Sequence, residues 1–90
     1  MLYLISYNIN DNSRESAFVD ALKREGDTTQ VLPKAYFLSS EKLESDIFKA
    51  LEKWVGPSEQ LIVAYADVQR LAGWVPSKSV DWLNRYKGNS

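Results

Sequence analysis

Cysteine and histidine are both absent from this 90-residue sequence. Their absence excludes disulfide bonds, cysteine nucleophiles, zinc sites built from Cys and His, and histidine general bases. The serines therefore have no histidine partner for nucleophilic catalysis, and Ser13, Ser39, Ser40 and Ser77 stand where helix caps are expected. Without a disulfide framework, nothing in the composition favours secretion.

An excess of charge of one sign is also missing. Eleven Lys and Arg residues are interleaved with twelve Asp and Glu residues, which gives a net charge of −1 and a pI of about 5.3. A nonspecific nucleic-acid binder usually has a basic excess, because its affinity comes largely from neutralising phosphates. The overall charge thus gives no support to nucleic-acid binding, although it does not exclude a local basic patch. The four glycines form no phosphate-binding loop.

Long apolar runs are absent as well. The opening segment, MLYLISYNIN, lacks a basic n-region and becomes polar after nine residues, so we expect neither a signal peptide nor a membrane span. We therefore expect a soluble, cytoplasmic protein with no membrane partner. Ninety residues are too few for two cores of ordinary size, which predicts a single domain over residues 1–90. A domain this small has a modest margin of stability, and self-association would cover leftover apolar area.

The apolar pattern of the chain predicts four strands and three helices. The strands are predicted at residues 2–9, 28–32, 35–39 and 60–66, and the helices at residues 13–25, from a Ser39 or Ser40 cap to a stop at Gly56-Pro57, and at residues 77–86. A capping box between Asn12 and Glu15 is expected to begin the first helix, and Gly26 to end it in a left-handed conformation. The two middle strands should turn tightly at Pro33 and Lys34; a single bulged edge strand is the alternative.

The order of these elements is that of a split βαβ pattern. Right-handed crossovers should place the first and last strands, which are the two most apolar runs, side by side in the middle of an antiparallel sheet. The sequence thus predicts an α+β, ferredoxin-like βαββαβ fold with its helices on one face and an extra short C-terminal helix.

The helices of this fold can cover only one face of the sheet. Alternation along the first strand divides Leu2, Leu4, Ser6 and Asn8 on one face from Tyr3, Ile5, Tyr7 and Ile9 on the other. The open face must be covered by the C-terminal segment, by a second subunit or by both. Aromatic residues supply large contact areas at interfaces, and core packing is the alternative for each residue taken singly. The candidate interface residues are Leu2, Leu4, Trp74, Trp82, Leu83 and Tyr86.

Polar residues are expected to gather where the first strand ends. The topology brings together Asn8, Asn10, Asp11, Lys34 and Glu59, whereas Asp67 should lie at the opposite edge of the sheet. Metal-assisted phosphodiester cleavage needs carboxylate oxygens to hold Mg²⁺ or a similar cation, and one loop carboxylate is a poor site. Asn8, Asp11 and Glu59 are the catalytic candidates, with Asp11 as the candidate metal ligand. The structural alternative is that these residues end a strand and shape a turn.

Three stretches of the sequence resemble a known family: LISYNI at the start, KAYFLSSE before the second helix, and GWVPSKSVDWL near the end. They resemble the small CRISPR-associated adaptation protein, the non-integrase partner in spacer acquisition, and are closer still to its stand-alone SinR-like relatives. The resemblance implies a ferredoxin-like fold and a homodimer formed through the sheet side. For some members it also implies metal-dependent nuclease activity, with an aspartate that closes the first strand in a Tyr-Asp pair.

The matching pair in this sequence is Tyr7-Asn8. An amide in place of the carboxylate removes the charge that would hold the cation. A more distant likeness to the virulence-associated protein D ribonucleases meets the same objection.

Three functions follow as hypotheses. The leading one is a non-catalytic, homodimeric binding or scaffolding module without a cofactor. The second is a weak metal-dependent endonuclease on RNA or DNA, which uses Asp11 with Asn8 and Glu59 and requires Mg²⁺ or Mn²⁺. The third is a regulatory or anti-defence protein whose partner is another protein.

Overall fold

Four strands and three α-helices form the chain in a computed structural model, which describes the backbone of residues 1–89 and the side chains of residues 1–85. The elements are β1 (Leu2–Asn8), α1 (Asn12–Arg24), β2 (Asp27–Leu32), β3 (Ala35–Ser39), α2 (Glu44–Leu51), β4 (Gln60–Ala66) and α3 (Ser77–Asn89), with 3₁₀ turns at Glu52–Trp54 and Val68–Arg70. Across residues 1–89, no helix combines the length and the apolar content that crossing a membrane requires.

The four strands form one antiparallel sheet in the order β2-β3-β1-β4. This order and the sequence of elements confirm the predicted ferredoxin-like α+β fold. The expectation that β1 and β4 are neighbours is also confirmed, with Leu2 opposite Ala66 and Asn8 opposite Gln60. The expectation that both lie in the middle is wrong, because β3 pairs on the other side of β1 and leaves β4 at the edge. Its apolar run is accordingly only partly covered, with Ile62 61% and Tyr65 64% exposed.

The middle of the chain forms a hairpin of two separate strands. β2 and β3 are joined at Pro33 and Lys34 as predicted, so the alternative of one bulged edge strand is wrong. The pairing shifts register between Gln30 and Leu32, which places a bulge in the edge strand β2 beside the proline. Because proline cannot donate to a ladder, irregular pairing next to it is expected at a sheet edge.

The main core lies between the sheet and the helices α1 and α2. The side chains that β1 directs to this layer are the predicted odd-numbered set, since alternate residues of a strand point to the same face. Aromatic rings fill much of the space, and the rings of Tyr7 and Phe18 lie 4.6 Å apart between centroids. The buried members are Tyr3, Ile5, Tyr7, Ile9, Phe18, Ala21, Leu22, Tyr36, Leu38, Ile47 and Leu51.

A second core lies on the opposite face of the sheet, where α3 packs. The ring of Trp82 stacks on that of Phe37 with centroids 6.4 Å apart and planes 9° from parallel. The Ser79 hydroxyl donates to the backbone oxygen of Gln30 at 2.9 Å, which fixes the start of α3 over β2. The C-terminal segment therefore covers part of the face that the other helices leave open. The buried members of this core are Leu2, Val31, Ala35, Phe37 and Trp82.

The first helix begins with a different cap from the one predicted. Asp11, not Asn12, is the N-cap: it has extended backbone angles, and its Oδ1 accepts from the backbone N–H of Arg14 at 2.9 Å. Asn12 is already helical, so the capping-box prediction is wrong by one residue. Gly26 has no positive φ, as no residue of the described chain does, so the predicted left-handed end is also wrong. Glycine is needed there for a close approach, because a Cβ would lie 2.0 Å from the backbone oxygen of Ser39.

The second helix begins later than predicted, at Glu44. Ser40 cannot cap it because the β1–β3 ladder extends to this residue: its N–H donates to the Met1 oxygen at 3.0 Å, and its oxygen accepts from the Met1 amino group at 2.9 Å. Leu43 occupies the N-cap position and makes no side-chain capping bond. The helix ends at Leu51 and tightens into a 3₁₀ turn before Gly56.

Candidate functional site

The end of β1 brings together the polar residues expected there. The backbone N–H of Asn10 donates to Glu59 Oε2 at 2.7 Å, and that of Tyr7 donates to the Lys34 oxygen at 3.1 Å. These contacts follow from the antiparallel order, which places the end of β1 beside the starts of β3 and β4. Asp67 follows Ala66, the partner of Leu2, and so lies at the opposite end of the sheet as predicted.

Glu59 is the centre of this cluster, and its side chain is only 3% exposed. Both of its oxygens pair with the guanidinium of Arg14, with Arg14 Nη2 3.0 Å from Oε2. The backbone N–H groups of Asn10 and Gly56 donate to the same carboxylate, each at 2.7 Å. Arg14 also donates to the backbone oxygen of Trp54 at 3.2 Å. Glu59 thus ties the β1–α1 loop to the α2–β4 loop.

The electrostatics of Glu59 follow from these contacts. The hydrogen bond from Arg14 and the two backbone N–H groups favour the ionised form and lower the pKa of Glu59 to about 2. The same pair raises the pKa of Arg14, because the carboxylate stabilises the charged guanidinium. A carboxylate with a pKa this low is a weak base. Glu59 is therefore suited to holding two loops together rather than to accepting a proton.

The other two catalytic candidates are engaged in local hydrogen bonds. Asp11 Oδ1 caps α1 and also accepts from the Ser13 hydroxyl at 2.6 Å. The Ser13 hydroxyl, and after it the Arg14 N–H, lower the pKa of Asp11. The Asn8 amide donates to Gln60 Oε1 at 3.0 Å, which makes it a cross-strand partner of β4. Both residues are exposed, and each has a role in the local structure.

A second polar group, which the sequence reasoning missed, centres on Glu15. The Tyr7 hydroxyl and Lys34 Nζ both donate to Glu15 Oε2 at 2.8 Å, and Lys34 Nζ lies 5.7 Å from the centroid of the Tyr7 ring. Burial, followed by the hydrogen bond to Glu15, raises the pKa of Tyr7. Lys34, followed by Tyr7, lowers the pKa of Glu15. The tyrosine stays protonated and the glutamate ionised, so neither is prepared to transfer a proton near neutral pH.

The residues at this end of the sheet do not fit the divalent cation that the family resemblance implies. Among the described residues, no group of three or more Asp or Glu side chains is placed to hold a metal ion. Asn8 supplies a neutral oxygen, the Asp11 carboxylate caps a helix, and Glu59 is neutralised by Arg14. Mg²⁺ and Mn²⁺ bind through several oxygen ligands, usually including free carboxylates.

The predicted interface residues divide into two groups. Leu2 and Trp82 are buried within the chain, and Leu4 and Leu83 pack partly against them, so these four belong to the second core. Core packing, which was the alternative, describes Leu2 and Trp82 within the single chain, and an interface role for them stays a prediction. Trp74 differs completely, with a side chain that is 99% exposed. Tyr86 has a side chain that lies outside the described residues.

An uncovered apolar surface follows the edge strand β4 and the neighbouring helix α2. Phe48 of α2 is 39% exposed and lines shallow grooves with the apolar residues of β4. Three aliphatic side chains of the strand contribute to the same surface: Leu61, Ile62 and Val63. We call this surface, formed by Phe48 and Leu61–Tyr65, the β4 edge. Its location could not be predicted while β4 was expected to lie in the middle of the sheet.

Comparison with known proteins adds information about the fold. No family model matches the chain, and no curated protein matches it. The chain is similar to a solved structure described as a hypothetical protein, TT1823, from Thermus thermophilus. The two share 22% sequence identity with a TM-score of 0.61, over 83% of this chain and 93% of the other. At this identity the likeness shows the fold alone.

Proposed function

We propose that this chain is a non-catalytic binding or scaffolding module that acts as a homodimer. The observation that carries the proposal is that each catalytic candidate already has a structural role. Asn8 bridges two strands, Asp11 caps a helix, and Glu59 joins two loops through Arg14. Both bonds to Asp11 reach its Oδ1, so Oδ2 is the one carboxylate oxygen of these candidates that is left open. One open carboxylate oxygen, with no group of three or more metal-ligating side chains among the described residues, is a poor site for a catalytic cation.

The sequence resemblance supports the same proposal. The resemblance to the small CRISPR-associated adaptation protein and its stand-alone SinR-like relatives implies a dimeric ferredoxin-like scaffold. We include membership of that superfamily in the proposal. The pair that matches the family's Tyr-Asp pattern is Tyr7-Asn8. In this chain the Tyr7 hydroxyl is bound to Glu15 and the Asn8 amide to Gln60. In this proposal the chain shares the family's fold, and the neutral amide of Asn8 stands where the family has the aspartate that would hold a cation.

Trp74 supports the proposal that this chain binds a partner. That partner could be a second copy of the chain or a different protein. A tryptophan this exposed contributes little to the stability of the isolated chain, whereas tryptophan is among the residues that most often dominate binding energy at interfaces. Trp74 lies in the loop between β4 and α3. This loop and α3 border an apolar cavity, whose lining includes Phe37, Val68 and Leu83. A regulatory protein that binds another protein through this loop is therefore the second candidate function.

The endonuclease hypothesis makes a prediction that separates it from the scaffold. We expect the wild-type protein to cleave neither RNA nor DNA at any Mg²⁺ or Mn²⁺ concentration, because the described part of the chain holds no group of three or more Asp or Glu side chains placed to bind the cation. The measurement is a cleavage assay with labelled single- and double-stranded substrates.

Two variants of Asp11 complete this test. Asp11→Asn keeps an oxygen that can cap α1 and removes the charge, whereas Asp11→Ala removes both. If Asp11 is only a cap, thermal melts should show a lower midpoint for Asp11→Ala and a nearly unchanged one for Asp11→Asn. Metal-dependent cleavage by the wild type that is lost in both variants would contradict the proposal, and cleavage that persists in both would indicate a contaminating nuclease.

A further inference from the structure

The β4 edge has none of the features that usually protect an exposed strand. Natural edge strands are shortened, charged, bulged, interrupted by proline or covered by another element. β4 has seven residues without a charge or a proline, and its register with β1 is continuous from Gln60 to Ala66. No strand within residues 1–89 pairs with its other side. The opposite edge, β2, contrasts with it, because β2 starts at Asp27, carries a bulge and lies under α3.

The direction of the free backbone groups in β4 follows from the hydrogen bonds of β1. The N–H of Tyr7 and the oxygen of Met1 bond toward β3, so the odd-numbered residues of β1 face β3 and the even-numbered residues face β4. The β4 residues opposite that set are the even-numbered ones from Gln60 to Ala66, and their backbone groups bond to β1. Leu61, Val63 and Tyr65 therefore direct their N–H and C=O groups outward from the sheet.

These outward groups can satisfy a second copy of the same strand. In an antiparallel pair related by a two-fold axis at Val63, Val63 faces Val63 of the second copy and Leu61 faces its Tyr65. All three outward N–H groups and all three outward C=O groups of each strand are then paired, whereas an axis at Ile62 or Ala64 leaves some of them unpaired. On the other face of the sheet, the large Ile62 lies opposite the small Ala64. A two-fold axis is also the commonest symmetry of soluble homo-oligomers.

The length of the strand and the apolar side chains beside it set the size of the contact that this edge offers. Seven residues of strand extend about 24 Å. The exposed side chains of Phe48, Ile62 and Tyr65 flank the strand and widen the contact that a second copy could make. Specific interfaces usually bury about 1,200–2,000 Å² in total, so a stable dimer needs these side chains as well as the paired backbone. The absence of charged residues from β4 means that self-pairing brings no like charges of the strands together.

We infer that two copies of this chain pair through β4, antiparallel about an axis at Val63, and form one continuous eight-stranded sheet. The inference rests on the proposed homodimer and specifies which surface forms it. α3 packs on the open sheet face over the second core, whereas nothing in the described chain covers the outer side of β4. Phe48 and Tyr65, which are exposed in the single chain, would lie beside the two-fold axis and become covered.

The absence of cysteine makes a direct test straightforward, since one substitution introduces one thiol per chain. The proposed pairing places the two Val63 Cα atoms about 5.5 Å apart, whereas the two Leu61 Cα atoms are separated by about 14 Å along the strands. We expect Val63→Cys to be crosslinked by an ethane-bridged bismaleimide at least tenfold faster than Leu61→Cys. The measurement is the rate at which the crosslinked dimer appears on a denaturing gel.

A mixture provides a second readout if Val63→Cys proves poorly folded by circular dichroism. Leu61 faces Tyr65 of the second copy in this register, so an equal mixture of Leu61→Cys and Tyr65→Cys should crosslink at least tenfold faster than either variant alone.

The outcomes separate this inference from the proposed function. Sedimentation of a wild-type dimer together with equal crosslinking rates in all variants would overturn the pairing through β4 and leave the homodimer standing. A wild-type monomer without crosslinking would overturn both. Fast crosslinking of Val63→Cys, or of the mixture, establishes the register.

Discussion

Glu59→Ala is expected to lower the thermal midpoint by roughly 10 °C, because several hydrogen bonds to one charged group are lost in a small domain. The substitution leaves the Arg14 guanidinium without its carboxylate and the N–H groups of Asn10 and Gly56 without their acceptor. Two loops that lie far apart in the sequence lose their connection at the same time. The measurement is a thermal melt followed by circular dichroism.

An exposed glutamate supplies the matched control. Glu41→Ala makes the same truncation at a side chain that is exposed in the turn before α2, and we expect the midpoint to change by no more than about 2 °C. Equal midpoints for the two variants would show that Glu59 does not hold the loops together, and its candidacy as a catalytic group would return.

The pH dependence of stability gives an independent view of the same carboxylate. The pKa of Glu59 is lowered from 4.5 to about 2 in the folded chain, so between these values the unfolded state binds more protons than the folded state. Stability from Glu59 is therefore fully present above pH 4.5 and is lost as the pH falls toward 2.

A charge-neutral variant isolates this contribution, because Asp11 and Glu15 also have lowered pKa values. We expect Glu59→Gln to lose less stability than the wild type over the interval from pH 4.5 to 2, measured by urea denaturation at several pH values. Parallel curves for the two proteins would show that the low pKa of Glu59 does not contribute.

Trp82→Ala is expected to reduce the free energy of unfolding by about 3–5 kcal/mol, the usual cost of truncating a large buried aromatic side chain. The ring is 4% exposed and packs in the second core with Phe37, Leu2 and Val31. Domains of this size have only about 5–15 kcal/mol of total stability, so this one change removes a large share of it.

Trp74→Ala is the matched control for the second core. The same chemical change at a side chain that is 99% exposed should alter the free energy of unfolding by no more than about 0.5 kcal/mol. Urea denaturation of both variants measures the difference. If Trp82→Ala is as stable as Trp74→Ala, α3 does not cover the sheet in the way described, and the open face would be available to a partner.

Most of the secondary structure could be predicted from local patterns. The bounds of β3 and β4 and the start of α3 agree with the prediction, because each lies where an apolar pattern changes beside Pro, Gly or Ser. The start of α2 could not be predicted in the same way. Ser40 has the chemistry of a cap, but the ladder with Met1 occupies its backbone, and that pairing depends on residues 39 positions apart.

The position of β4 shows a different limit. A continuous apolar run indicates a strand that is covered on both faces, and the sequence does not state whether the cover comes from the same chain. Within the described chain, β4 is an edge strand with Ile62 and Tyr65 exposed. This apolar run led to the wrong prediction that β4 lies in the middle of the sheet. It is also the reason to expect that a second copy of the chain covers β4.

The candidate site was predicted as a location but not as a set of contacts. Antiparallel order alone brings Asn8, Asp11 and Glu59 to one end of the sheet. The pairing of Glu59 with Arg14 could not be predicted, because the two residues are 45 positions apart and no local pattern links them. Glu15 shows the same limit, since a capping box was a sufficient local explanation for it and its actual partners are Tyr7 and Lys34.

The mass of the protein in solution tests the central proposal most directly. Sedimentation equilibrium of the full chain over a range of concentrations should give about twice the 10.3 kDa of one chain, because the uncharged edge strand and its neighbouring apolar residues require a cover. A mass of 10.3 kDa that persists at high micromolar concentration would contradict the homodimer and the scaffold that depends on it.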